Sequence, residues 1–311
     1  MHWSRIGEAG FVGGMKFMFA LYRLCGRWPF RVALYPVLTW YVLTRAVARR
    51  ASRDYLKRLY LHSHGTTPAP TLLNVLRHFA AFAEALVDKV LAWSDPDRLG
   101  DVTVTGREAV LQLLDAGRGG VFVVSHIGNF ELCRAIARHR RRGIKLNIFV
   151  HTRHAARFNR VLRDLAPDSQ LDLIQVTDFS PATAVMLSEK VERGEFIVIA
   201  GDRVPVSERG PVLQVDFLGA SAPLPFGPYL LANMLRCPLI SLIARREGEQ
   251  SHINIRVLSD GVRLPRADRM GAATVLAQAY AEQMAHACLA APFQWFNFFD
   301  FWGAAPRGEQ R

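Results

Sequence analysis

The sequence predicts an α/β fold: a central, mainly parallel β-sheet flanked by helices, with an N-terminal amphipathic helical region. From residue 102 onward, short runs rich in β-branched and aromatic residues alternate with runs of helical periodicity, which is the pattern of strand–helix–strand units. Before that point, apolar and aromatic residues mix with arginines at helical spacing. We therefore divide the chain into a membrane-associating helical region, residues 1–65, and an α/β domain, residues 66–311.

The N-terminal region is apolar, but no single run in it is long enough to span a bilayer. Its longest run, Val32 to Leu43, contains Pro36 and falls short of the roughly 20 residues that a spanning helix needs. Basic residues follow at helical spacing: Arg45, Arg49, Arg50, Arg53, Lys57 and Arg58. Apolar surface beside a cationic face favours helices that lie in an anionic membrane interface. The alternative is a helical subdomain docked on the core with a solvated basic face.

The order of helices and strands in the α/β domain follows from its apolar periodicity and from the turn residues between the runs. Residues 64–70 predict a linker, and Leu72 to Trp93 an amphipathic helix. Strands are expected at residues 102–105, 120–125, 145–150, 171–177, 196–201, 238–244 and 252–258. Helices are expected near residues 107–116, 130–142, 155–164, 181–193, 226–236 and 270–290.

Composition restricts the class of partner. The 311 residues carry a net charge of +12 and half are apolar, so we expect a packed globular chain with an acidic partner. Nucleic acid, anionic lipid and an acidic carrier protein all satisfy that charge. The four cysteines are widely separated, which argues against a disulfide framework or a zinc site. Neither Gly-x-Gly-x-x-Gly nor a phosphate-loop pattern occurs, so nucleotide binding lacks its usual backbone cradle.

The strongest functional signal is His126, followed five residues later by Glu131. Apolar residues 121–124 predict a buried strand, and Gly128-Asn129 interrupts before a helical pattern begins. His126 is therefore expected at the carboxyl end of a strand, where open α/β sheets place their ligand sites. Glu131, in the first helical turn, can fold back toward it, and an imidazole oriented by a carboxylate can act as a general base. The alternative is a structural histidine, with Glu131 only favouring the helix N-terminus.

Four further polar residues are candidates for substrate binding. Asp202 and Arg203 follow the apolar run 196–200, Arg153 follows the strand 145–150, and Asn129 lies in the His126 loop. The planar guanidinium of Arg203 suits a phosphate. A structural salt bridge between Arg203 and Asp202 is the alternative.

Two other residue patterns do not support chemistry of their own. His151 and His154 lack an accompanying carboxylate or cysteine cluster, so we expect no metal site. Ser125 adjoins His126, but neighbouring residues on a strand point to opposite faces, and the Gly-x-Ser-x-Gly elbow of hydrolases is missing.

Seven aromatic side chains between residues 293 and 302 are too many to leave solvated, and we expect them to pack in the core. The alternative is that they form a wall for the acyl chain or a membrane anchor.

Several blocks together carry a family resemblance. They are His126-x-x-x-x-Glu131, Gly-Asp-Arg at 201–203, Pro-Leu-Pro-Phe-Gly-Pro at 223–228 and the amphipathic N-terminus. The chain resembles the lysophospholipid acyltransferase superfamily, and within it the bacterial lipid A biosynthesis (lauroyl or myristoyl) acyltransferases, over roughly residues 1–303. The aromatic stretch 294–302 and the Gly-Asp-Arg block differ from the best-known lipid A enzymes. These differences indicate a divergent branch and leave the acceptor open, with another outer-membrane glycolipid or a polyene-type lipid among the choices.

The resemblance implies transfer of a fatty acyl group from an acyl-carrier-protein thioester to a hydroxyl of a lipid or glycolipid. His126 would take the hydroxyl proton, and Glu131 would hold the ring. The thioester is a co-substrate, and no cofactor is implied. Acyl carrier protein, the lipid acceptor and an anionic membrane surface are the expected partners. The expected location is the cytoplasmic face of the bacterial inner membrane, in a peripheral or monotopic manner.

Two other classes of protein match part of this pattern. A nucleic-acid-binding protein explains the arginine clusters but leaves the apolar N-terminus unexplained, and no helix-turn-helix, zinc-finger or RNP pattern is visible. We therefore expect no nucleic-acid partner. A lipid hydrolase could use a similar scaffold, and it would release free fatty acid instead of an acylated acceptor.

Overall fold

The computed structural model describes residues 21, 22, 24–94, 102–129, 144–150, 172–175, 181–204, 211–248 and 250–304. Its helices are α1 Arg27–Thr44, α2 Ala46–His62, α3 Leu72–Ser94, α4 Arg107–Asp115, α5 Pro181–Glu192, α6 Gly227–Leu235 and α7 Arg269–Ala290. Its strands are β1 Val102–Thr105, β2 Gly120–Val124, β3 Leu146–Val150, β4 Asp172–Gln175, β5 Phe196–Ala200, β6 Val212–Phe217, β7 Ala220–Pro225, β8 Leu239–Glu247 and β9 Gln250–Ser259. A short 3-10 helix, Trp302–Ala304, follows them.

The predicted α/β class with a mainly parallel central sheet is confirmed. Seven strands form one sheet in the order β1-β9-β8-β2-β5-β3-β4. The β8–β9 pair is antiparallel, and the other five neighbouring pairs are parallel. Strand β2 lies in the middle and is buried along its whole length, which explains its unbroken apolar sequence, because both faces of the sheet are covered.

Alternate residues of β2 enter two separate cores. Val121 and Val123 belong to the larger core, which includes residues of α2, α6 and α7. Phe122 and Val124 point to the other face and pack with residues of α1 and α4. This alternation is the period of two that a strand imposes on its side chains. The carboxyl end of β2 is thereby held rigidly between two packed layers.

The first helices join the domain in different ways. Helix α2 buries Tyr55, Leu56 and Leu59 in the larger core, and the Tyr55 hydroxyl donates to the Pro292 carbonyl at 2.9 Å. Helix α1 continues through Pro36 and leaves several large apolar side chains exposed: Trp28, Val32, Tyr35, Val37, Trp40 and Leu43. None of the helices in the described ranges has the length and apolarity needed to cross a membrane.

The β6–β7 hairpin was not predicted from the sequence. Its second strand contains Pro223 and Pro225, which pair with Gln214 and Val212. Proline lacks a backbone N–H and is tolerated only where a strand has an unpaired side, as in this two-stranded ribbon. The helices predicted near residues 130–142 and 155–164 lie outside the described residues.

Candidate active site

The register of the sheet brings His126 and Asp202 together. Strands β2 and β5 are parallel neighbours, with Val124 opposite Ala200. The Gly201 N–H extends this pairing by donating to the Val124 carbonyl at 2.8 Å. His126 and Asp202 each lie two residues beyond the Val124–Ala200 pair, so both stand at the carboxyl edge of the sheet, where α/β folds bind ligands.

Asp202 contacts His126 through both carboxylate oxygens. Its Oδ1 lies 2.7 Å from His126 Nδ1, and its Oδ2 accepts the His126 backbone N–H at 2.8 Å. Burial opposes ionisation of Asp202, but the charge and hydrogen bonds of His126, with the charge of Arg203, outweigh it and lower its pKa to about 2. Because an ionised carboxylate only accepts hydrogen bonds, Nδ1 of His126 carries a proton, and in the neutral form of the ring Nε2 carries the lone pair.

The side-chain environments of the two residues differ. The Asp202 side chain is 1 % exposed, and the His126 side chain is 34 % exposed. The carboxylate is therefore shielded from solvent while the ring reaches the surface of the sheet edge. Such an arrangement lets a buried charge orient an accessible base.

The segment 294–297, here called the C-terminal segment, fixes the backbone of the His126 loop. The Gly128 N–H donates to the Gln294 carbonyl at 2.8 Å, and the Phe296 N–H donates to the His126 carbonyl at 2.9 Å. Gly128 has a φ of +58°, and a Cβ there would lie 2.2 Å from the Ala244 carbonyl oxygen on β8. Only glycine fits this close approach, so the loop is held between β8 and the C-terminal segment.

Arg203 and Asn129 lie at the same sheet edge. The Arg203 Nη2 donates to the Phe296 carbonyl at 3.1 Å, and its guanidinium lies 6.0 Å from the centre of the Phe299 ring. Asn129 is 8 % exposed. Asp202 makes its side-chain hydrogen bonds with His126 and Trp295, and Arg203 acts on it through its charge. Substrate binding by Asn129, Asp202 and Arg203 stays a prediction.

Two predicted site residues, Glu131 and Arg153, lie outside the described residues, and their roles also stay predictions. Ser125 is 3 % exposed, and its hydroxyl lies beside the buried phenol of Tyr280, whereas the His126 ring faces Asp202. Among the residues that are described, no group of three or more histidine, cysteine or acidic side chains could hold a metal ion.

Sequence reasoning missed two contacts at this site. The contact of Asp202 with His126 depends on β2 and β5 being neighbours in the sheet. The one signal in the sequence is that both residues follow apolar strands of equal length. The Trp295 indole N–H donates to Asp202 Oδ2 at 3.2 Å, and nothing in the local sequence separates this tryptophan from the other aromatic residues around it.

The aromatic residues near the C-terminus pack as predicted. Trp295, Phe296, Phe299 and Phe301 are all buried, and Trp295 meets the rings of Phe301 and Trp302 edge to face. Their burial explains how an irregular segment can hold a fixed position beside the His126 loop.

One comparison identifies the kind of protein to which this site belongs. The family model described as bacterial lipid A biosynthesis acyltransferase matches residues 74–303, which is most of the chain and includes every site residue named above. No curated protein matches the chain.

Proposed function

We propose a reaction for this chain from the premise that it belongs to the bacterial lipid A biosynthesis acyltransferase family. As a member of that family it is an acyltransferase that acts on lipid. The proposed donor is an acyl-carrier-protein thioester, and the proposed acceptor is a hydroxyl of a lipid or glycolipid. The single observation that best supports this reaction is the buried carboxylate of Asp202 on Nδ1 of the partly exposed His126 ring.

The proposed chemistry is a direct acyl transfer. Nε2 of His126 removes the proton of the acceptor hydroxyl as its oxygen attacks the thioester carbonyl carbon. Collapse of the tetrahedral intermediate breaks the carbon–sulfur bond, and the protonated ring returns its proton to the departing thiolate. The products are an ester and the free thiol of the carrier. Asp202 stabilises the transient imidazolium by its charge and keeps Nδ1 protonated.

The remaining predicted residues are assigned to positioning and binding. Glu131 keeps its proposed role as a carboxylate that helps to orient His126. Arg153 and Arg203 are proposed to bind phosphate groups of the carrier arm or of the acceptor, because guanidinium groups match phosphate oxygens. Asn129, buried at the edge of the sheet, is proposed to help position the substrate.

Membrane association is proposed to involve the exposed face of α1. Trp28, Val32 and Tyr35 follow one another at spacings of four and three residues and are 76 %, 61 % and 38 % exposed, so they form one apolar stripe. Trp40 continues this exposure toward the end of the helix. Such a stripe suits insertion at the headgroup level. We propose that this contact is made with the cytoplasmic face of the inner membrane, the location that the family resemblance implies.

The adjoining helix α2 carries more positive charge than its one carboxylate, Asp54, which pairs with Arg58, can balance. Arg50, Arg53 and Lys57 of α2 are exposed, and in the described ranges none of them has an ion-pair partner. Unpaired cations of this kind attract anionic lipid headgroups. The charge therefore complements the apolar stripe of α1 in binding an anionic membrane.

His126→Ala tests the proposed base. Purified protein is given a panel of acyl-carrier-protein thioesters with a lipid extract from cells that lack the gene, and acylated products are measured by mass spectrometry. Loss of a positioned general base lowers turnover by about a hundredfold or more. His252→Ala is the matched control, because His252 also lies beside a carboxylate, Glu247, at 3.6 Å but makes no contact with Asp202. Near-wild-type turnover in folded His126→Ala would reject the mechanism, and free fatty acid as the product would indicate a hydrolase.

Replacement of Trp28 and Trp40 by serine tests the proposed stripe. The double variant should float with anionic phospholipid vesicles less than wild type, because two aromatic anchors are lost. The control replaces two exposed apolar residues elsewhere, Val185 and Val275, which are 60 % and 70 % exposed. Equal flotation of the two double variants would place the membrane contact on another surface.

A further inference from the structure

Trp295 links the C-terminal segment to the charged pair at the site. Its indole Nε1–H donates to Asp202 Oδ2 at 3.2 Å. Its backbone pairs with that of Ile127 in an isolated antiparallel β-bridge. The ring is fully buried. It packs edge to face with Tyr55 and Phe217 at centroid separations of 5.1 Å and 5.0 Å. The donor therefore has a fixed direction relative to the carboxylate.

The hydrogen bonds of Asp202 show what the indole contributes. Oδ1 accepts the Nδ1–H of His126, whereas Oδ2 accepts the His126 backbone N–H and the indole N–H. Two of these three donors belong to the residue that the carboxylate must orient. The indole is the donor among them that is anchored elsewhere in the fold, so it limits rotation of the carboxylate about its own side chain.

We infer that Trp295 is a positioning residue, whose indole N–H holds the Asp202 carboxylate in the orientation that aligns His126 for proton transfer. This inference rests on the proposed function, in which His126 is the base. In the proposed reaction, Trp295 does not touch the substrate. It acts through Asp202, as the outer hydrogen-bond partners of a reactive group commonly do.

The same aromatic cluster supplies a matched control. Trp302 lies 5.7 Å from Trp295 between ring centroids and stacks on Phe217. Its Nε1–H is buried and has no hydrogen-bond partner among the residues described. Trp295→Phe and Trp302→Phe thus remove the same indole N–H from the same cluster, but only the first variant removes a donor to Asp202.

The first experiment follows the His126 ring without any substrate. Protein labelled with carbon-13 in histidine is titrated by NMR as wild type and both variants, and the His126 signal is assigned by its absence in His126→Ala. Loss of the indole donor leaves the Asp202 charge less satisfied, so the carboxylate attracts the ring proton more strongly. The titration of His126 should move to higher pH by about half a unit in Trp295→Phe and should not move in Trp302→Phe.

The charged groups around the ring are the same in all three proteins. They include Asp202 and Arg203, both from the turn after β5, and both variants retain these groups and Glu131. A change in the titration therefore reports the lost indole N–H. A loss of packing alone would lower the unfolding temperature of both tryptophan variants and leave the titration in place.

The second experiment measures turnover with the same thioester panel. Trp295→Phe should lower kcat by about tenfold, the scale for losing an outer hydrogen-bond partner, while KM stays near the wild-type value because substrate contacts are kept. Titration and kcat values equal to those of Trp302→Phe would overturn the inference. If His126→Ala retained full turnover, the proposed function would fall, and the NMR titration would still decide whether Trp295 controls the His126–Asp202 pair.

Discussion

His78 is hydrogen-bonded directly to Trp295, and His126 is linked to it through Asp202, so the two rings show two uses of the same side chain. His126 is partly exposed and has a carboxylate on Nδ1. His78 is fully buried, with its Nε2 at 2.9 Å from the Trp295 carbonyl and its Nδ1 at 2.8 Å from the Ser52 hydroxyl. Because a carbonyl only accepts, Nε2 of His78 carries the proton, and Nδ1 accepts from Ser52.

The difference between the two histidines lies in the charge of their partners. Burial lowers the pKa of His78 to about 4, and the hydrogen bond to the Trp295 carbonyl opposes this shift only in part. Both nitrogens of that ring are hydrogen-bonded to uncharged partners, so it stays neutral near pH 7 and ties α2 and α3 to the C-terminal segment. Beside His126, Asp202 supplies the negative charge that the proposed general base needs when it accepts a proton. The charge of the partner and the exposure of the ring therefore distinguish the structural histidine, His78, from the proposed base, His126.

Asp202→Asn should have the largest effect on this comparison, because it gives His126 a neutral partner like that of His78. The amide keeps the shape of the side chain but can present an N–H to Nδ1, which disfavours the tautomer with a lone pair on Nε2. In the serine protease triad the same change costs about ten-thousandfold. We expect acyl transfer to fall by about a thousandfold in the thioester assay.

An exposed aspartate provides the control for this charge removal. Asp268 accepts the Gly271 N–H at 2.9 Å as the cap of α7, and asparagine caps helices about equally well. Asp268→Asn should therefore turn over at the wild-type rate. A folded Asp202→Asn that matched it would show that the Asp202 charge does not support the base.

His78→Gln should have the next largest effect, on the pH dependence of stability. The pKa of His78 is about 4 in the folded protein, against an ordinary value of 6.5, so the unfolded chain binds a proton that the folded chain excludes. Stability is therefore lost as pH falls from about 6.5 to about 4, by roughly 3 kcal/mol in total. Glutamine does not titrate, so urea unfolding of the variant should lose this part of the pH slope.

The exposed His62 of α2 offers a control for removing a histidine as such. His62→Gln should keep the wild-type dependence of unfolding free energy on pH. If His78→Gln kept the full slope as well, the buried ring could not be the group that destabilises the fold in acid.

The fold was predictable because its signals are local. The apolar run of β2 and the glycines before it fixed a strand and its end, and six other strands of the sheet were expected at the positions where they occur. The β6–β7 hairpin was missed because Pro223 and Pro225 argue against a strand until it is known to be half of a two-stranded ribbon.

The site was predictable only in part, because its contacts depend on strand order. The sequence placed His126 and Asp202 each at a strand end, but it cannot say that β2 and β5 are neighbours while β3 lies on the far side of β5. From the sequence, Asp202 is therefore predicted to contact the substrate or Arg203, and its contact with His126 is not predicted. Trp295 lies 93 residues beyond Asp202, and a hydrogen bond over such a distance has no local signature.

Ser52→Ala should have the smallest effect and tests the structural half of the comparison. It removes the hydroxyl that donates to Nδ1 of His78 at 2.8 Å in the buried layer between α2 and α3. One neutral buried hydrogen bond contributes about 1 kcal/mol, so the unfolding free energy should fall by that amount.

The control is Ser241→Ala, since Ser241 is also fully buried and its hydroxyl has no hydrogen-bond partner among the described residues. Its removal should leave stability unchanged or slightly raised, because no bond is broken and an unsatisfied polar group is lost. Acyl transfer should be unaffected in both variants, because neither hydroxyl contacts the His126–Asp202 pair. Equal stability of Ser52→Ala and Ser241→Ala would mean that His78 holds the helices by packing alone. A loss of turnover confined to Ser52→Ala would mean that the two histidines are coupled through Trp295.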